Sequence, residues 1–208
     1  MMRDLVIVGA GGFGRETVDT VRAINRGKPT WRILGVIDDS PSPANLNRLA
    51  ALDLPHLGGL AALPPRSAVA LCIGAPADRS RLAQRLEPDV ELPSLIHPST
   101  QIGSLFRHGH GLITLAGTSI GTNVRVGDHV HLNAHAVIGH DVHLSDFVSV
   151  NPNATVSGEC AIGTQVLVGA GSTVLQGLTV GRGSTVGAAA CVTHDVPATR
   201  TVKGVPAR

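Results

Sequence analysis

A glycine-rich segment near the start of the chain has the residue types and spacing to bind a phosphate. Gly9, Gly11 and Gly14 form a GxGxxG pattern after the apolar run 5–8 and before residues 15–25, which have helical apolar spacing. Glycines let the backbone approach a phosphate at a helix N-terminus, where free N–H groups and the helix dipole favour an anion. The segment therefore predicts a nucleotide-binding turn.

Asp38 and Asp39 are candidates to complete that site. They end the second predicted strand, 33–37, where a carboxylate can meet a ribose hydroxyl. An NAD-dependent oxidoreductase is one interpretation, but a dinucleotide fold needs two mononucleotide halves and only one fits before residue 97. A single nucleotide, such as the carrier of an activated sugar, fits better. The alternative without a ligand is a tight turn that packs a helix on a sheet, with both aspartates solvated.

His140 stands out because Asp141 follows it directly. An imidazole accepts a proton near neutral pH, and a carboxylate on its other ring nitrogen would fix its tautomer. The pair is a candidate general base, and a solvated corner histidine is the alternative. The sequence does not decide whether Asp141 reaches the ring.

The chain contains 10 histidines, which raises the question of a bound metal. Structural zinc sites have ligands at short, defined spacings. No set here shows them, although several histidines are close in sequence: His108, His110, His129, His131 and His135. We predict no metal site.

The second half of the chain repeats every six residues. From Ile102 to Val192 each sixth residue is aliphatic, apart from His108 and Thr114, and the next residue is often glycine or asparagine. Both types tolerate the positive φ of a sharp corner. Three units would close a coil in which residues 18 apart stack, and stacked coils bury a continuous aliphatic column. A β-sandwich would space its strands by about 8–12 residues instead.

The first half alternates strands and helices, which predicts a small parallel α/β sheet. The predicted strands are 5–8, 33–37, 68–73 and 92–96, and the predicted helices are 15–25 and 78–86, the second capped by Asp78. We therefore divide the chain into a Rossmann-like half domain, residues 1–97, and a β-helix, residues 98–208.

Composition limits the classes of partner. A net charge of +2 and an aromatic content of 2% argue against nucleic acid, which is bound through basic patches and stacking aromatic rings. No apolar run approaches the roughly 20 residues of a membrane helix, and the first residues do not resemble a signal peptide. Three cysteines without a CxxC pair are typical of buried thiols in a reducing compartment. We expect a cytoplasmic protein.

The motifs together resemble the hexapeptide-repeat sugar acyltransferases, which include nucleotide-amino-sugar N-acetyltransferases and sialic-acid O-acetyltransferases. The resemblance covers nearly the whole chain: GAGGFGRE at 9–16, VIDD at 36–39, CIGA at 72–75, SLIHPS at 94–99, NAHAVIGHDV at 133–142 and VKGVPAR at 202–208. It implies a left-handed β-helix and a homotrimer with active sites between neighbouring helices. It also implies that the coils bind acetyl-CoA and the first domain binds the nucleotide-sugar.

The resemblance also implies individual roles. His140 falls at the catalytic base, Asp141 at the residue that orients it and Asn133 at a polar position of the same site. Backbone groups at Gly158, Ala170 and Ala188 would meet the cofactor, and Ser149 stands where some relatives have a histidine that contacts it.

The nucleotide-sugar pocket would be formed by residues of the first domain: Gly11, Gly12, Phe13, Asp38, Asp39 and Gly74. Phe13 departs from the many relatives that have histidine at this position, which weakens a polar contact to the sugar nucleotide.

We therefore expect an acetyltransferase that uses acetyl-CoA to N-acetylate a nucleotide-linked amino sugar. The alternatives are O-acetylation of a sialic-acid-like sugar and a non-catalytic trimeric sugar-binding scaffold. The nucleotide and the sugar are left open by the sequence.

Overall fold

The N-terminal half of the protein is a four-stranded parallel sheet with helices packed on it. The computed structural model describes residues 2–208. The elements of this half are β1 (Arg3–Val8), α1 (Gly12–Gly27), β2 (Trp31–Ile37), α2 (Pro43–Ala50), β3 (His56–Gly58), a 3₁₀ turn (Leu60–Ala62), β4 (Ala68–Leu71) and α3 (Pro76–Ala83). The strand order is β3-β2-β1-β4. The predicted α/β half domain is confirmed.

The C-terminal half is a parallel β-helix, as predicted. It is built from two-residue strands: β5 (Leu95–Ile96), β6 (Gln101–Ile102), β7 (Arg107–His108), β8 (Ile113–Thr114), β9 (Ser119–Ile120), β10 (Arg125–Val126), β11 (His131–Leu132), β12 (Val137–Ile138), β13 (His143–Leu144), β14 (Ser149–Val150), β15 (Thr155–Val156), β16 (Ala161–Ile162), β17 (Leu167–Val168), β18 (Thr173–Val174), β19 (Thr179–Val180), β20 (Thr185–Val186), β21 (Cys191–Val192) and β22 (Thr201–Val202).

Three sheets form the walls of the β-helix. The β11 sheet has the order β22-β20-β17-β14-β11-β8-β5, the β12 sheet has β21-β18-β15-β12-β9-β6, and the β13 sheet has β19-β16-β13-β10-β7. From β5 to β21 each strand pairs with residues 18 positions away, as Arg125 does with His143, whereas β20 pairs with β22 at a separation of 16 residues. From Ile120 onward the six-residue grid faces inward and is buried. Burial of each such aliphatic side chain contributes about 1.5–3 kcal/mol.

Two sequence-based strand and helix assignments are wrong. The fourth strand of the α/β sheet is β3 and not residues 92–96, because Leu95 and Ile96 pair with β8 and begin the β-helix. The six-residue grid in fact extends back to Ile96. Asp78 lies inside the first turn of α3, which begins at Pro76 after an Ala75 N-cap.

The corners also differ from the prediction. Positive φ falls two residues after the glycine of each unit, as at Asn123 (56°) and Asp141 (60°). The glycine itself is needed for a different reason: a Cβ at Gly139 would lie 2.5 Å from the backbone nitrogen of Gly158 in the next coil. Glycine therefore permits the close stacking of coils, while asparagine and aspartate tolerate the left-handed turn.

Cys72 and Cys160 are buried, as expected for small apolar side chains, and burial raises the pKa of the Cys72 thiol to about 12. Cys191 is only partly buried, because it precedes an inward-facing position and so points out of β21.

A single buried arginine joins the two halves. Arg79 of α3 is 0% exposed, and its Nε donates to the carbonyl of His129 (2.9 Å). Its Nη1 donates to the carbonyl of Ile73 (2.6 Å), and its Nη2 donates to Phe147 (2.8 Å). Burial lowers the pKa of Arg79 to about 9, so the side chain still carries its charge at neutral pH. Among the described residues no carboxylate pairs with Arg79, so carbonyl oxygens are what stabilise its buried charge.

Replacing Arg79 should therefore loosen the α/β half. We expect Arg79→Met to lower the free energy of unfolding by about 3 kcal/mol, because several buried carbonyls lose their donor. Denaturant unfolding followed by the fluorescence of Trp31, the single tryptophan, measures this. The control is Arg81→Met on the same helix, where the guanidinium is exposed. Equal stability of the two variants would contradict the assignment.

Candidate active site

His140 and Asp141 lie at the corner that follows β12, on the open surface of the β-helix. The imidazole Nδ1 is 2.8 Å from Asp141 Oδ2, so the carboxylate does reach the ring. Because a carboxylate only accepts, Nδ1 carries the proton and Nε2 presents a lone pair. The His140 side chain is 49% exposed. The pair thus has the arrangement of an oriented general base with an accessible proton-accepting nitrogen.

The Asp141 carboxylate is held from below as well. Asn123 Nδ2, one coil earlier, donates to Asp141 Oδ1 at 2.7 Å. That hydrogen bond and the one to His140 keep the pKa of Asp141 below its usual range. Asp141 is therefore ionised throughout the neutral range, with one oxygen fixed by each neighbour.

Gly158 lies directly above the His140 ring, one coil later, as the 18-residue stacking predicts. A Cβ at this position would lie 2.5 Å from His140 Nε2. Any larger residue at position 158 would therefore clash with the His140 imidazole. A backbone contact of Gly158 to the cofactor stays a prediction.

Asn133, Ala170 and Ala188 lie together at a different corner. This corner precedes β12, whereas His140 follows it, and Ala170 and Ala188 are exposed in later coils of the same edge. Asn133 is 9% exposed, and its Nδ2 donates to the Val150 carbonyl at 3.0 Å. One chain therefore holds the predicted acetyl-transfer residues in two groups, at the two edges of the β12 sheet.

The position of Ser149 argues against the predicted contact with the cofactor. Its side chain is 1% exposed and closed in the junction between the two halves. Its Oγ donates to the Gly74 carbonyl (3.2 Å) and accepts from Arg79 Nη2 (3.0 Å). The physical reason is that the outer face of the first coils of the β11 sheet is covered by the α/β half.

The glycine loop of the first domain has one packed side and one open side. A Cβ on Gly14 would lie 2.0 Å from the carbonyl oxygen of Gly9, so Gly14 is required by the packing of α1 on β1. A Cβ at Gly11 or Gly12 would meet nothing within 4 Å. The Ala10 N–H donates to Asp38 Oδ2 at 2.9 Å, which fixes the loop against the end of β2. The open side leaves room for a ligand at the start of α1.

A cavity of about 140 Å³ lies beside this loop and is lined by Gly9, Asp38, Asp39 and apolar side chains. Asp39 accepts from the Leu60 N–H at 2.8 Å and pairs with Arg85 at 3.1 Å. These contacts, the Leu60 bond first, lower the pKa of Asp39. A larger cavity of about 800 Å³, between the 3₁₀ turn and residues 84–91, is lined by none of the predicted site residues.

Phe13 and Gly74 lie where the loop meets the β-helix. The Phe13 ring stacks on His131, with centroids 4.2 Å apart. His131 is buried, and burial holds its pKa well below the usual value. A Cβ at Gly74 would meet nothing within 4 Å. The structure thus gathers the predicted nucleotide-sugar residues along one edge of the first domain.

Sequence reasoning missed Asn123 and Arg79. Asn123 carries a usable signal, since it lies 18 residues before Asp141 and therefore beneath it. Arg79 carries none, because its partners are backbone carbonyls of distant residues.

Within residues 2–208 no three metal-ligating side chains are grouped to hold a metal ion. None of the helices in the same range has the length and apolar character required to cross a bilayer.

Comparison with known families matches the first domain. Residues 4–86 match the family of the PglD N-terminal domain. No curated protein sequence matches the chain significantly.

Solved structures match the whole chain. PerB from Caulobacter crescentus, in complex with CoA and GDP-perosamine, is 27% identical with a TM-score of 0.89, over 100% of this chain and 97% of that chain. The acetyltransferase domain of PglB from Neisseria gonorrhoeae, in complex with acetyl coenzyme A, is 28% identical with a TM-score of 0.86, over 100% and 99%. WeeI from Acinetobacter baumannii is 29% identical with a TM-score of 0.86, over 100% and 99%. These findings confirm the resemblance seen in the sequence.

The dependence of the His140 ring on Gly158 can be measured without a substrate. Gly158→Ala should displace the imidazole and shift His140 from the Nδ1–H form toward the Nε2–H form, because the bond to Asp141 is lost. Two- and three-bond ¹⁵N–¹H couplings from the ring carbon-bound protons, recorded at about pH 9 where imidazoles are neutral, report the tautomer. Gly27→Ala, at an open position, is the control. An unchanged tautomer in Gly158→Ala would refute this geometry.

Proposed function

We propose that this hexapeptide-repeat acyltransferase transfers the acetyl group of acetyl-CoA to the amino group of a nucleotide-linked amino sugar. The observation that carries the proposal is the exposed His140–Asp141 pair on a β-helix attached to a nucleotide-type α/β half. Full-length similarity to a GDP-perosamine complex and an acetyl coenzyme A complex supports it.

The His140 pair would supply the proton chemistry. The sugar amine attacks the thioester carbonyl, a C–N bond forms and the C–S bond breaks. His140 Nε2 takes the amine proton and returns it to the departing CoA thiolate. Asp141 stabilises the imidazolium formed between these steps, because its ionised Oδ2 lies 2.8 Å from Nδ1.

Two competing functions fit less well. A scaffold has no need for a histidine whose tautomer is fixed by a carboxylate at an open corner. An NAD-dependent oxidoreductase needs two mononucleotide halves, and residues 2–208 contain a single four-stranded α/β sheet.

The split of the predicted acetyl-transfer residues supports a homotrimer. Both groups flank the β12 sheet. After Gln101 in its first strand, the outer face of this sheet carries small uncharged side chains: Ser119, Val137, Thr155, Thr173 and Cys191. Val137 is 40% exposed there. The β13 sheet instead exposes Arg107, Arg125 and His143.

Three copies with the β12 sheet toward a threefold axis would place the His140 corner of one chain beside the Asn133 corner of the next. Such a head-to-tail contact closes into a ring. The thioester would then lie between chains, next to Ala170 and Ala188, whose small exposed side chains would leave room for it. The expected cytoplasmic location stays part of the proposal.

Thiol release from acetyl-CoA tests the function directly. With a panel of UDP-, GDP- and dTDP-linked amino sugars we expect turnover of at least one, and His140→Ala should lower kcat by about 10²–10⁴-fold, the usual contribution of a general base. His143→Ala, an exposed histidine of the same coil, is the control and should keep full activity.

Turnover of hydroxyl sugars alone would redirect the proposal to O-acetylation. Equal rates for His140→Ala and the wild-type protein would overturn the assignment of the base.

A further inference from the structure

Within residues 2–208, Asn123 is the one side chain besides His140 that touches the Asp141 carboxylate through a hydrogen bond. It lies in the preceding coil, 18 residues earlier, at a left-handed corner with φ 56°. Asp141 occupies the same corner position one coil later, with φ 60°. Stacking of equivalent corners therefore brings the amide and the carboxylate to 2.7 Å.

We infer that Asn123 is a positioning residue that locks the Asp141 carboxylate onto His140, so that the working unit is Asn123–Asp141–His140. This inference rests on the proposed function, because it assigns Asn123 to that reaction. Asn123 does not touch the base and acts through Asp141 alone.

The geometry divides the two carboxylate oxygens between two partners. Oδ1 accepts from Asn123 at 2.7 Å, and Oδ2 faces His140 Nδ1 at 2.8 Å. A carboxylate at a half-exposed corner would otherwise rotate about its side-chain torsions and exchange His140 for water. The amide removes that freedom, because rotation would break its own bond to Oδ1.

Asn123 is the uncharged side chain that holds the Asp141 carboxylate in place. The titratable neighbours that the stacking gives Asp141 are His140 beside it and Glu159, which stands at the same corner one coil further on and whose N–H donates to the His140 carbonyl at 2.8 Å. The hydrogen bond from the Asn123 amide lowers the pKa of Asp141 more than the hydrogen bond with His140 does. An amide supplies a donor without adding a charge that would compete with the imidazolium.

Two substitutions separate positioning from simple folding. Asn123→Gly removes the amide and suits a positive φ without strain. Asn123→Asp keeps the shape but replaces the donor by a second carboxylate, which repels Asp141 and raises its pKa further. Asn153→Gly is the matched control, since Asn153 has φ 57° and Gly171 rather than a carboxylate in the next coil.

The first measurement is a ¹³C NMR titration of the Asp141 carboxyl group, assigned with Asp141→Asn. We expect the Asp141 pKa to rise toward its ordinary value in Asn123→Gly, to rise more in Asn123→Asp and to stay unchanged in Asn153→Gly. This readout needs no acceptor sugar, so it stands even where the proposed acetyl transfer fails. An unchanged Asp141 titration in Asn123→Gly would overturn the inference.

The second measurement is acetyl transfer with the best acceptor of the panel. Asn123→Gly should lower kcat by between about 10-fold and 100-fold, as misplacement of a reacting group does, and leave KM for the nucleotide-sugar within about 2-fold. Asn123→Asp should be at least as slow, although it is isosteric. Full activity of Asn123→Asp would also overturn the inference, because shape alone would then suffice.

Discussion

The 18-residue coil is the constraint on which the rest of this protein depends. Each corner residue has a fixed neighbour one coil above and one below, so the residues of the candidate site come from successive coils. Asn123 lies under Asp141, and Gly158 lies above His140. The left-handed corners supply the right backbone at low cost, since asparagine, aspartate and glycine accept positive φ. A general base is thus placed on a rigid wall, where its orientation is set by the same stacking that buries the aliphatic column.

The junction with the α/β half is held by side-chain contacts and not by the stacking of coils. There the outer face of the first coils is sealed, and Arg79 joins α3 to the carbonyls of two successive corners. The same arginine also holds the Ile73 carbonyl, next to Gly74 of the expected nucleotide-sugar edge. A rigid junction fixes that edge relative to the coils. The proposed reaction requires this, because one half would carry the sugar and the other the thioester.

Periodicity predicted the β-helix, the stacking of His140 on Gly158 and the helix after the glycine loop, because these follow from spacing alone. Prediction failed where a residue's role is set by tertiary packing. Residues 92–96 were predicted to form a strand of the α/β sheet, yet Leu95 pairs with Ile113 of β8 in the β-helix. Ser149 was expected to contact the cofactor, yet the α/β half covers it. The glycine of each unit read as a left-handed residue, yet close contact between coils is what selects it. No local pattern reveals Arg79, whose partners are distant backbone carbonyls.

The central claim is acetyl transfer at a site shared between two chains, and complementation tests it most directly. His140→Ala and Asn133→Ala chains are purified separately, then unfolded and refolded together in equal amounts. Random assembly into trimers gives each site an intact His140 corner and an intact Asn133 corner with a probability of about one quarter, so the mixture should show about a quarter of wild-type activity. A mixture no more active than the sum of the two separate variants would contradict the account.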